Sequence, residues 1–124
     1  QNLFVSPASL PQHAALIALD CRNELDIYVQ TYARNRKFLL EHLPSAGFDK
    51  LAPADGAFYL YADVSDLTKD SKEFCNQMLE EAGVATTPGI DFDPQRGHQY
   101  LRFSFAGSEQ TIVEAAERLV NWRR

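Results

Sequence analysis

Cysteine is scarce in this chain, with only Cys21 and Cys75 among 124 residues. The two lie far apart and without metal-ligand spacing, so reduced structural thiols are expected rather than a disulfide framework or a metal cluster. Positive charge is also scarce. Twelve Lys and Arg stand against seventeen Asp and Glu, a formal net charge of −5, with no basic cluster beyond the terminal Arg123-Arg124. Such a chain would release few counterions from phosphates, which argues against a nucleic-acid partner and equally against an anionic membrane surface. No signal peptide and no apolar run long enough to span a bilayer is present, so a cytoplasmic protein is expected. An initiator methionine is missing as well. The opening Gln1-Asn-Leu-Phe-Val-Ser6 reads as the continuation of something already under way, either a trimmed product or a domain of a longer polypeptide.

Nucleophile and metal signatures are equally thin. Neither cysteine has a histidine near it in sequence, and no serine sits in a Gly-x-Ser-x-Gly elbow. His13, His42 and His98 share no ligand spacing with one another or with the acids, so no metal is expected. Asp91 and Asp93 alternate across a loop around Phe92. They could form an acid–base pair, but solvated loop carboxylates are the commoner outcome. The glycine-bearing turns do not make a phosphate cradle.

What is present is an ordinary globular composition, 45% hydrophobic and 23% charged, enough for one domain with a real core. Ser9-Leu-Pro-Gln12 has the form of a capping box, which predicts a short, largely buried helix over 13–19. A longer helix is predicted from 24 to 43 on the stripe Leu25, Tyr28, Val29, Tyr32, Leu39, Leu40 and Leu43, with the Arg36 stem packed and its head in solvent. Pro44 and Gly47 end it. Ala57-Phe-Tyr-Leu-Tyr-Ala-Asp-Val64 reads as a strand entered through the turn Pro53-Ala-Asp-Gly56. Asp70-Ser-Lys-Glu73 is a second capping box, opening a helix that Gly83 closes. Val84-Ala-Thr-Thr87 is a short strand candidate, and 88–97 is a loop. Ser108 caps a last helix with Ile112, Ala116, Leu119 and Val120 as its buried stripe. The order predicts an α+β fold: a small sheet with antiparallel pairing, packed by a long helix and others.

The run Tyr100-Leu-Arg-Phe-Ser-Phe-Ala106 carries the chemistry. Read with period two, Leu101, Phe103 and Phe105 share one face and Tyr100, Arg102 and Ser104 the other. A guanidinium on that second face is a fixed cation with a planar fork of donors, suited to a carboxylate. A half-exposed strand with its polar face in water would read the same way.

Taken in order, Pro53-Ala-Asp-Gly-Ala-Phe-Tyr-Leu-Tyr61, Leu79-Glu-Glu-Ala-Gly-Val-Ala-Thr-Thr-Pro-Gly89, Phe92 and Tyr100-Leu-Arg-Phe-Ser-Phe-Ala106 resemble the C-terminal part of a fold-type I, class I/II aminotransferase that uses pyridoxal 5′-phosphate. The helix after Ser9-Leu-Pro-Gln12 and the long helix fit that family too, so the resemblance covers nearly all of residues 1–124. It implies that the whole chain is the small C-terminal domain of such an enzyme, with the large cofactor-binding domain absent. Arg102 then matches the arginine that holds the substrate's α-carboxylate. Gly56, Ala57 and Phe58 resemble a pocket edge, where a small residue lets the backbone approach the substrate, and a plain turn glycine fits Gly56 as well. Pro88, Gly89 and Phe92 resemble the loop that closes over the site.

The catalytic lysine is not expected here. Of Lys37, Lys50, Lys69 and Lys72, only Lys72 follows a serine, and it falls in the polar first turn of a capped helix where nothing would lower its pKa. The resemblance thus implies an amino-acid and 2-oxo-acid transaminase, homodimeric when intact. It also implies that the cofactor is held elsewhere and that the isolated chain is inactive. A pyridoxal-phosphate lyase of the same family, or a non-enzymatic α+β module binding an amino acid or a partner protein, are the alternatives.

Overall fold

The computed structural model describes residues 7–123; the opening segment Gln1–Ser6 and Arg124 lie outside the described residues. The chain divides into two compact units, one up to Gln30 and one from Thr31 onward.

The first unit contains helix α1, Ser9–Ala18, and the start of α2, Arg22–His42. The expected capping box does not form. Ala8 occupies the cap position with no side-chain bond, and Gln12 Nε2 instead donates to the Pro7 carbonyl at 2.8 Å. The expectation of a largely buried helix also fails: α1 has no buried residue, and Leu10, Leu16, Ile17 and Leu19 are 66–78% exposed. Further along, Leu25, Tyr28 and Val29 of the predicted stripe are likewise exposed. Periodicity marks the residues a helix can bury but does not supply the surface that buries them.

In the second unit α2 continues to His42 and gives way to a 3-10 turn, Leu43–Ala46, with Pro44 in its first positions. Leu39 and Leu43 are buried as expected. So is Asn35, whose Nδ2 donates to the carbonyls of Phe105 and Gly107, at 3.0 Å each. The Arg36 head does not reach for solvent: Nη1 donates to the Ala54 carbonyl at 2.7 Å. The sheet consists of β1 (Tyr59–Asp63), β2 (Thr87–Pro88) and β3 (Tyr100–Ser104). Its order is β1-β3-β2 with β3 antiparallel to both neighbours, so the expected α+β architecture with antiparallel pairing is what forms. Two strands are shorter than the sequence suggests. Ala57 takes a left-handed φ of 57°, which interrupts the extended run before β1. Val84 N–H bonds the Met78 carbonyl as the preceding helix ends, so pairing starts only at Thr87.

Helix α3, Ser71–Ala82, opens on Asp70, whose side chain accepts from the N–H groups of Lys72 and Glu73. Helix α4, Glu109–Trp122, opens on Ser108, which accepts from Thr111 N–H. Both caps satisfy donors that a helix start leaves unpaired. The core lies on one face of the sheet, where Leu60, Ala62, Leu101, Phe103 and Phe105 meet Phe48, Phe74, Met78, Ile112 and Leu119. Trp122 joins α4 to α3: its ring packs 5.5 Å from that of Phe74, and its Nε1 donates to Glu81 at 2.6 Å. Cys75 and Cys21 are free thiols; burial raises the Cys75 pKa.

Candidate functional site

The face of the sheet opposite the core carries the site. Alternation along β3 sends Leu101 and Phe103 into the core and leaves Tyr100 and Arg102 half-buried on the other side. Arg102 sits on the central strand, with Tyr61 of β1 and Thr87 of β2 as its register partners. Its guanidinium carbon lies 4.4 Å from the Phe92 ring centroid and 5.1 Å from that of Tyr59. Nη2 reaches Thr87 Oγ1 at 3.5 Å, the outer limit of a hydrogen bond. Among the described residues no carboxylate lies within ion-pair distance of it.

A cavity of about 360 Å³ opens beside it, lined by Tyr59, Tyr61, Phe92, Asp93 and Arg102. Tyr61 stacks on Tyr100 with parallel rings 4.9 Å apart. Burial, helped by the Asp93 charge, raises the Tyr61 pKa, so its hydroxyl stays protonated near neutrality. Asp93 is held below its usual pKa, first by the backbone N–H of Arg96 and then by that of Gln95. Its Oδ2 also receives Arg96 Nε at 3.4 Å. This acid is structurally engaged, and Asp91 does not line the cavity with it, so the two do not act there as an acid–base pair.

Of the residues singled out from sequence, Arg102 and Phe92 are brought together. Pro88 and Gly89 belong to the root of the loop: Pro88 pairs with Leu101 and Gly89 is buried. Gly56, Ala57 and Phe58 are exposed and do not line this cavity. A Cβ on Gly56 would meet nothing, and the left-handed residue of the turn is Ala57. Phe58 touches the site at one remove, its ring edge-on to Tyr59 at 5.7 Å. Sequence reasoning missed Tyr59, Tyr61 and Thr87. The alternation of β1 would have placed both tyrosines on one face, but nothing local indicates which strand lies beside Arg102.

The cofactor implied by the resemblance needs a desolvated lysine. All four lysines are exposed, and Lys50, hydrogen-bonded to Asp66, has its pKa raised rather than lowered. The residues described do not fit that group.

The sequence matches the description "Aminotransferase class I and II" over residues 1–119. It is 48% identical over 123 residues to valine–pyruvate aminotransferase of Mycobacterium tuberculosis, covering 98% of this chain and 32% of that protein. It is 35% identical to the (5-formylfuran-3-yl)methyl phosphate transaminase of Methanocaldococcus jannaschii, covering 96% and 31%. A crystal structure from Silicibacter pomeroyi superimposes with a TM-score of 0.91 at 54% identity, covering 99% of this chain and 33% of that one. An aminotransferase structure from Mycobacterium tuberculosis follows with a TM-score of 0.78 at 52% identity, covering 81% and 26%. The chain thus spans about a third of the length of these relatives. Matched along nearly its whole length, this chain belongs to the class I and II aminotransferase family.

Proposed function

We propose that this chain is the small, substrate-holding domain of a pyridoxal-phosphate-dependent aminotransferase, and that Arg102 binds the α-carboxylate of both substrates. The observation that carries this reading is a half-buried guanidinium facing a 360 Å³ cavity with no carboxylate partner among the described residues. A cation removed from bulk water without a counter-charge gains most when an anion arrives. An amino acid and a 2-oxo acid share their carboxylate, so one clamp serves both halves of an amino-group exchange. Two contacts from one planar fork fix the position of the substrate's α-carbon, and positioning of that kind supplies much of an enzyme's selectivity. Tyr59 and Tyr61 offer apolar walls to the rest of the substrate.

The lysine, the cofactor and the large domain belong to the remainder of the polypeptide in this reading, as does the homodimer contact, and the chain alone is inactive. Gly56, Ala57 and Phe58 form an outer edge beyond the residues that line the cavity, and Pro88, Gly89 and Phe92 belong to the loop beside Arg102. Given the 48% identity to a valine–pyruvate aminotransferase, valine and pyruvate are the first pair to assay. Arg102→Ala in the full-length enzyme should raise KM for both by about 10- to 150-fold, the loss of one charge-assisted interaction. Arg102→Lys should recover only part, because an ammonium lacks the fork. Unchanged KM for both substrates in Arg102→Ala would overturn the assignment. Stoichiometric exchange of amino group for oxo group separates a transaminase from a lyase.

A further inference from the structure

Phe92 presents a puzzle of burial. Its side chain is 53% exposed, so desolvation alone gives little reason for it to hold one place, yet its ring lies against Arg102. The segment carrying it is closed on itself. Phe92 and Asp93 N–H groups both donate to the Gly89 carbonyl at 2.9 Å, and Gly97 N–H donates to the Asp93 carbonyl at 2.8 Å. The Asp93 carboxylate takes the N–H groups of Gln95 and Arg96. At the root, Gly89 and Gly97 meet backbone to backbone. A Cβ on Gly97 would overlap the Gly89 carbonyl, and one on Gly89 would stand 2.7 Å from the Gly97 oxygen and 2.6 Å from the Tyr61 hydroxyl. Buried Ser71 Oγ then donates to the Gly97 carbonyl at 2.9 Å, tying the root to α3. These bonds and close approaches tie the loop that carries Phe92 to the end of β2 and to α3.

Arginine is a long, rotamer-rich side chain. Among the described residues Arg102 has no ion pair to hold it, and its bond to Thr87 is at the distance limit. The contact with the most to offer is the face of an aromatic ring, where a guanidinium is attracted and can lie flat. We propose that Phe92 is a positioning residue for Arg102: its ring, held by the glycine-pinned loop, keeps the guanidinium fork aimed at the incoming carboxylate. The inference rests on the reading of Arg102 as the carboxylate clamp and adds to it the element that pre-sets the clamp.

The test uses the full-length enzyme, with steady-state KM and kcat measured for the amino acid and the 2-oxo acid. Phe92→Leu, which keeps apolar bulk without a π face, should raise both KM values by about five- to tenfold, with kcat changed less than about twofold. Phe92→Tyr should stay near the native values. Because Phe92 acts through Arg102, Phe92→Leu should have no further effect in an Arg102→Ala background. Unchanged KM in Phe92→Leu, alongside a raised KM in Arg102→Ala, would overturn the positioning role and leave the clamp standing. Full persistence of the Phe92→Leu effect in the Arg102→Ala background would overturn it as well. Unchanged KM in Arg102→Ala would remove the clamp itself, and this inference with it.

Discussion

The two faces of β3 are built from adjacent residues and follow different rules. Leu101 and Phe103 are buried at 0% and 5% exposure and lie in one core with Phe74 and Met78 of α3 and Ile112 and Leu119 of α4. Tyr100 and Arg102, one residue away in each case, are half-buried against aromatic rings and an open cavity. The core face gains from removing surface from water. The site face keeps a cation in place without neutralising it, which costs the fold little only while solvent still reaches part of the charge. A single strand can therefore anchor the domain and, under the proposed function, hold the ligand, because its period of two keeps the tasks apart.

The sharpest way to break this division is to measure stability on both sides of it. Leu101→Ala should cost about 2–5 kcal/mol, the usual range for emptying a fully buried leucine site, read as a lower midpoint in urea unfolding. Tyr61→Leu, on the other face, should cost about 1 kcal/mol through loss of the parallel stack with Tyr100, measured in the same titration. Arg102→Ala should move stability by no more than about 1 kcal/mol, since it gives up ring contacts with Phe92 and Tyr59 but, among the described residues, no ion pair. A loss comparable to that of Leu101→Ala would mean that the site face is structural after all.

The smallest effect should come from pH. The Asp93 pKa is depressed in the fold, so its contribution is present above the ordinary carboxylate value of about 3.9 and fades as pH falls through the lower, folded value. The amide resonances of Gln95 and Arg96 should therefore hold steady from neutrality to about pH 5 and shift only in stronger acid. The Tyr61 shift has the opposite consequence. Its raised pKa gives stability that is complete below about pH 10 and is lost as pH rises through the folded value. Titration of Asp93 near its ordinary value would show that the loop is looser than its hydrogen bonds suggest.

Much of this arrangement was legible in the sequence, and the limits follow physical lines. Features set by neighbours along the chain could be read directly: the Asp70 and Ser108 caps, the Ile112–Ala116–Leu119 stripe, and the alternation that turns Arg102 away from the core. Features set by distant partners could not. The meeting of Gly89 with Gly97, the tyrosines opposite Arg102 and the Asn35 bonds to the end of β3 depend on which strand pairs with which. Two glycines in a turn-rich loop look like flexibility until their backbones are seen in contact. The exposed apolar residues of α1 show the remaining limit, since hydrophobic spacing states a requirement for cover and says nothing of its source. For function, the ordered set of motifs indicated the family where no single residue could, while Arg102 alone read more readily as a solvated strand residue.

The joint between α3 and α4 also determines what light will report. Trp122 is the single tryptophan of the sequence, and it is held between Phe74 and a hydrogen bond to Glu81, away from the residues that line the Arg102 cavity. Its emission should therefore follow the seam between the two helices, reddening as that seam opens to water, and remain silent when a carboxylate enters. Three of the five tyrosines, Tyr59 and Tyr61 lining the cavity and Tyr100 stacked on Tyr61, are the chromophores positioned to record occupancy. The chain thus carries two spectrally separable reporters, one for the integrity of its frame and one for the state of its site.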